Sequence, residues 1–301
     1  MMALTNRQRV AAAAANGFRI DTVKTAFEMF EEERIVLRRR RSVERLCLAG
    51  LLVVGFAISA HVGEMSLVTL SQGLSEAADY LARMMPTISL SAPAKDAANW
   101  YWGFKIWSAA LVGTVLIAIA STTIGTIAAI PWSFVASRNL TPGFPRFVMR
   151  RLLEITRTIP ALVYALAFVL AFGLGATAGV LAIAVHTTSS LGKLFSEVNE
   201  TADVRPMEAV SAAGGGWVSL VRFAVLPQVL PTFISYVLLR LEKNIRSATV
   251  IGFVGAGGIG QELYVAIRSF QYQDVSAIAL MIILLVALTD MACERLRRLV
   301  M

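Results

Sequence analysis

The sequence predicts an all-α, polytopic membrane protein with about six transmembrane helices. Hydrophobic residues make up 56% of the 301 residues and charged residues 16%, against roughly 45–50% and about 25% in soluble domains. The apolar excess gathers into runs long enough to cross roughly 30 Å of hydrocarbon at about 1.5 Å per residue. Lys and Arg, in turn, concentrate in every second segment between those runs.

Residues 1–45 precede the first run and are largely polar, so no secretory signal is expected. Within them, "RIDTVKTAFEMFEEERIVL" (19–37) sets Ile20, Val23, Phe27 and Phe30 on one helical face. That stripe fits a helix on the cytoplasmic membrane surface or a partner subunit, and equally a packed soluble helix. The membrane domain follows over 46–301, and its first span, 46–62, is expected to stay in the mature chain as an anchor. Residues 65–104 read as an external short helix and Pro/Ser loop, too small for a substrate-binding domain. Aromatics in "NWYWGFKIW" (99–107) then lead into a second span at 107–131, as an interfacial belt does. The stretch 155–195 is too long for one helix, and "FGLGATAG" is the place to turn it, giving a third and a fourth span. The fifth span runs over 229–254 and the sixth over 275–293.

Counting Lys and Arg with the N-terminus inside gives 21 in cytoplasmic segments against 3 outside. The positive-inside rule therefore places both termini in the cytoplasm. It also explains the net charge of +8 without a nucleic-acid partner. Cys47 and Cys293 lie in apolar runs without metal-ligand spacing, so they read as buried thiols, and no metal site is expected.

"GAGGIG" (255–260) spells G-x-G-x-x-G, with Asp274 downstream where a ribose-binding acid would stand. A dinucleotide site needs a second buried strand before that acid. "IRSFQYQ" is no such strand, and a membrane-length run follows it. The glycines instead suit close helix approach or non-helical backbone at the end of a span. No catalytic residue is assigned.

The fifth span changes character partway. After "VLPTFISYVLL" come Arg240, Glu242, Lys243, Asn244 and Arg246. Eleven residues rise only about 16–17 Å, so this cluster falls within the membrane's thickness. Each charge there costs roughly 2.5–3.5 kcal/mol, which calls for internal pairing or a polar path. Glu242 and Arg246 pair at i,i+4, leaving Arg240 and Lys243 as surplus positive charge. A locally positive path suits an anion; the plain alternative is a helix ending near Leu239 with charges at headgroups or a subunit interface. His186, Thr187, Thr188, Ser189 and Ser190 form a polar stretch near the fourth span, fit either to hydrogen-bond an anion or to join helices. Arg157 belongs at the cytoplasmic interface, with Pro160 close to a helix start.

Between the fourth and fifth spans, the cytoplasmic segment 197–228 carries an ordered pattern. Glu208-Ala209-Val210 is followed after three residues by Gly214, after nine more by Ala224, and after one by Leu226-Pro227. This resembles the coupling loop of binding-protein-dependent ABC importer permeases. Val210 and Ala224 depart from that family's pattern. A narrower resemblance, to phosphonate ABC transporter permeases, rests on "RTIPALVYALAFV" (157–169), "HTTSSLGKLFSEVNE" (186–200) and "EKNIRSATVIGFVGAGGIG" (242–260).

The resemblance implies a permease-type helical bundle in the bacterial cytoplasmic (inner) membrane. Glu208 would make a polar contact or cap, and Ala209 would pack closely, where the loop docks on a cytoplasmic ABC ATPase dimer. Gly214 would turn the helix, and Leu226-Pro227 would start the next element. His186, Ser190, Glu242, Lys243, Asn244 and Arg246 are the expected translocation path. A second copy of the chain and an extracytoplasmic substrate-binding protein complete the expected partners, besides the lipid bilayer. The chain lacks G-x-x-x-x-G-K-[ST], so it is expected to bind no cofactor, with ATP and Mg on the partner ATPase. The cargo implied is phosphonate or a related phosphorus oxyanion; phosphite, a phosphate ester or an amino acid are the alternatives. A stand-alone ion-coupled carrier is the rival class, but no internal repeat is visible and Glu242 and Asp290 are the obvious acids within the spans.

Overall fold

The computed structural model describes residues 20–63, 66–86 and 91–300. Residues 1–19 and the apolar stripe of Ile20, Val23, Phe27 and Phe30 side chains lie outside the described residues. All regular elements among the described residues are helices. The chain divides between Ala77 and Ala78 into two units.

The first unit holds α1 (Ile20–Val62) and the start of α2 (Leu67–Met84). The N-terminal helix and the first span therefore share one element rather than two. No Gly or Pro occurs between residues 20 and 49 to interrupt it. Cys47, expected to be buried, is exposed on α1, whereas Cys293 is buried.

In the second unit, α3 (Pro93–Trp100) leads into α4 (Phe104–Ala136), α5 (Phe144–Thr158) and α6 (Ala161–Phe172). Then come α7 (Ala176–Asn199), α8 (Val204–Ala212), α9 (Leu226–Ile251), α10 (Ile259–Arg268) and α11 (Tyr272–Val300). A helical turn at Trp217–Ser219 and a π-helical turn at Leu220–Val225 join α8 to α9. Among the described residues, five helices are long and apolar enough to cross a membrane, or six if α5 and α6 form one broken span.

Small residues set the centre of the bundle. Ala118, Ser121, Thr122, Gly125 and Ala129 recur along the buried side of α4 at helical spacing. A Cβ on Gly125 would lie 2.7 Å from the Thr187 Cβ of α7, so this glycine lets α4 and α7 approach. Toward the α8 end, Phe195 stacks on Phe233 with ring centroids 3.8 Å apart. Both join Phe134 and Met207 in one buried cluster.

The turn expected in "FGLGATAG" lies between Phe172 and Ala176, where Gly173 and Gly175 both have positive φ. The third run departs from expectation: it is bent by 86° between α5 and α6. Pro160 has no N–H to continue a helix and disfavours helical geometry at Ile159, whose backbone is extended (φ −80°, ψ 121°). Twelve residues of α6 rise only about 18 Å, short of the hydrocarbon thickness.

The glycine cluster 255–260 is a reversal between helices. Gly255, Gly257 and Gly258 all have φ near +80°. A Cβ on Gly260 would run into the carbonyl oxygen of Thr249, and one on Gly252 would lie 2.7 Å from Gly260 Cα. The reversal is tied to its neighbours by Gly175 N–H donating to Gly255 O (2.9 Å) and Ile259 N–H donating to Thr114 Oγ1 (2.8 Å).

Candidate functional site

The nine-residue helix α8 is capped by Asp203, whose carboxylate accepts from Arg205 N–H at 3.0 Å. Asp203 N–H in turn donates to Gln228 Oε1 at 2.9 Å, fastening the start of α8 to α9. Gly214, at φ +80°, ends the helix in a left-handed turn, and Gly215 N–H returns to Val210 O at 2.9 Å. Met207 is buried and Val210 packs against the same cluster, while Glu208 and Ala209 are exposed on the outer side. The capping role thus belongs to Asp203. Glu208 has no hydrogen bond or ion pair among the described residues. Leu226 opens α9 with Pro227 in its first turn, where a missing N–H costs nothing.

Midway along the bundle, three helices meet through polar groups. Asn244 of α9 is only 1% exposed. Its Nδ2 donates to Thr122 Oγ1 of α4 at 2.8 Å and to Thr187 Oγ1 of α7 at 3.0 Å. One turn earlier on α9, the Arg240 guanidinium meets His186 Nδ1 and reaches Thr187 Oγ1 at 3.4 Å. Arginine has only donors, so His186 Nδ1 is the acceptor and the ring proton sits on Nε2. Ser190, one turn further along α7, is buried but not hydrogen-bonded to this cluster.

The other charged residues of α9 point elsewhere. Arg246 pairs with Glu242, as the i,i+4 spacing predicts, and also with Asp290 of α11 at 3.0 Å. The Arg246 side chain is 46% exposed. Lys243 is exposed and has no ion pair among the described residues. The expected path residues therefore fall into two groups. His186 and Asn244 join Arg240 in the interior, whereas Arg246 links the half-buried Glu242 to Asp290 of α11 and Lys243 is exposed. Thr122 was not singled out from sequence; its signal is a hydroxyl in mid-span beside Ser121. Asp290 was visible as an intramembrane acid, but its partner lies 44 residues away in sequence.

Residues 121–300 match the family described as binding-protein-dependent transport system inner membrane component. Over 239 residues the chain is 38% identical to the phosphite transport system permease protein PtxC of Stutzerimonas stutzeri, covering 79% of this chain and 82% of that protein. It is 48% identical over 118 residues to the putative cryptic phosphonate transport system permease protein PhnE2 of Escherichia coli K12, covering 39% of this chain and 97% of that one. The MetNI methionine ABC transporter, in an inward-facing conformation, superposes with a TM-score of 0.58 at 19% identity, over 66% of this chain and 97% of that chain, a likeness of fold. The matched region takes in α8 and every residue of the mid-bundle cluster, and the chain belongs to the binding-protein-dependent ABC importer permeases, multi-span components of the inner membrane.

Proposed function

We propose that this permease carries phosphonate or a related phosphorus oxyanion into the cytoplasm, driven by ATP hydrolysis on a separate ATPase. One observation carries the choice of cargo: the identity of 38% over 239 residues to a protein named for phosphite transport. The charge of the fifth span supports it, since Arg240, Lys243 and Arg246 outnumber its one acid, Glu242, and still exceed the acids when Asp290 of the sixth span is added.

In this reading the Lys and Arg distribution sets both termini in the cytoplasm. That orientation puts α8 on the cytoplasmic side, where Glu208 and Ala209 meet the ATPase. The chain itself binds no nucleotide; ATP and Mg belong to the partner. Glu242, Lys243, Arg246 and Asp290 are too costly to face lipid at mid-depth, at roughly 2.5–3.5 kcal/mol each. A second copy of the chain covers that face, and the two copies enclose a polar path. An extracytoplasmic binding protein delivers the anion, ATP binding draws the coupling helices together, and the subunits rock to change access.

Competition tests the cargo. With labelled phosphite as the transported species and the cognate binding protein present, unlabelled phosphonate or phosphate ester should reduce uptake, and methionine should not. Competition by methionine alone would reject the oxyanion reading.

A further inference from the structure

A basic cavity lies apart from both sites described above. It measures about 400 Å³ and is lined by Arg138, Arg146, Arg150, Arg151 and Lys193, together with Phe147 and Glu154. Three carboxylates answer the five cations. Glu154 is held by Arg151 at 2.6 Å and Lys193 at 3.2 Å. Glu200 is held by Arg150 at 3.1 Å, and Glu197 stands 3.7 Å from Lys193. Two positive charges are in excess, and Arg146 has no ion pair among the described residues. Lys193 and Arg150 are largely buried at 13% and 17% exposure, whereas Arg138 and Arg151 are exposed at 71% and 61%, so buried cations underlie exposed ones.

The helix that supplies three of the arginines is itself amphipathic. Leu153 is buried against Gly192 of α7. On the side of α5 away from it, Phe144, Val148, Leu152 and Ile155 form an exposed apolar stripe at i, i+4, i+8 and i+11. Arg146 and Arg150 flank the buried edge, and Phe147 and Arg151 join the cavity to the stripe, with the guanidinium 5.5 Å over the ring. Because α5 turns 86° from α6, this stripe runs across the direction of its neighbour.

A surplus of cations beside an exposed apolar stripe is complementary to one kind of ligand, an amphiphile with an anionic head. We propose that the cavity holds the phosphate headgroup of an anionic phospholipid, with its acyl chains along Phe144, Val148 and Leu152 and α5 lying in the membrane interface. Free phosphate satisfies the cations but leaves the stripe uncovered.

The full-length permease in detergent, titrated with phosphatidylglycerol and with phosphatidylcholine and read by native mass spectrometry, tests this. Phosphatidylglycerol should be retained in preference. Replacing Arg138 and Arg146 together by Gln should lower its affinity by about 25-fold, roughly five-fold for each surface cation removed. Arg146→Lys keeps the charge and should stay close to wild type. Arg222→Gln removes an exposed cation outside the cavity and should change nothing. Size-exclusion profile and helical content verify that each variant is folded. Equal retention of the two lipids, a double variant that binds like wild type, or an equal loss in Arg222→Gln would overturn the site. Displacement of phosphatidylglycerol by millimolar inorganic phosphate would overturn the lipid assignment and give the cavity to a free oxyanion.

Discussion

Arg240 of α9 meets His186 of α7 across the bundle, guanidinium against imidazole Nδ1, one turn before Asn244 joins α9 to α4 and α7. A planar, donor-only fork is suited to that contact and to Thr187 beside it. Arg240→Lys keeps the charge but loses the fork. Initial uptake rates in reconstituted vesicles should fall about ten-fold, the scale of one charge-assisted hydrogen bond. Copurification with the ATPase should be retained. Uptake at the original rate would show that the charge alone suffices.

Asn244→Leu removes both interhelical bonds at a buried position. Bonds of this kind between membrane helices contribute about 0.6 kcal/mol on average and up to about 1.7. With two bonds lost, the variant should unfold at a lower denaturant concentration in mixed micelles, destabilised by about 1.2 and at most about 3.4 kcal/mol. An unchanged midpoint would mean that packing of Gly125 against Thr187, not the amide, holds α4, α7 and α9 together.

Gly214 occupies φ +80° with open space around it, so a side chain there strains the backbone without striking a neighbour. The strain of a left-handed residue is about 1–2 kcal/mol. Gly214→Val should therefore leave the subunit inserted but tilt α8, reducing ATPase stimulation by the binding protein. Glu208→Lys should do the same through the exposed face. Full stimulation in both variants would remove α8 from the contact.

The helical class, the turn at Gly173–Gly175 and the end of α8 at Gly214 were legible in sequence because each depends on local backbone preferences. The 86° bend was only half legible: Pro160 reads as close to a helix start, but the angle depends on how α5 packs against α7, and the third span drawn from residue 155 ran across the joint. The partition of the α9 charges was hidden for another reason. Residues 240 to 246 span under two turns, and which of them faces inward depends on the register against α7 and α11. Spacing gave the Glu242–Arg246 pair, but not Asp290, which approaches from another helix. The basic cavity was likewise invisible, because Arg138, Arg146 and Lys193 come together only when α5 folds back on α7.

Sidedness can be checked with single cysteines in a background carrying serine at residues 47 and 293. Ala212 and Ser91 are both exposed, which makes them better reporters than Leu140, buried beneath Trp217. A cysteine at 91 should react with an impermeant maleimide added outside intact cells, and one at 212 should react only after lysis. Labelling of 212 from outside would invert the topology and take α8 away from any cytoplasmic ATPase.

ATP dependence is the most direct test of transport by this chain. Proteoliposomes containing the permease and its ATPase, with ATP inside and phosphite plus binding protein outside, should accumulate phosphite above the external concentration. Vesicles with the permease alone should not, whether or not a proton or sodium gradient is imposed. Accumulation driven by an ion gradient without the ATPase would contradict the ABC import mechanism and make this chain a secondary carrier.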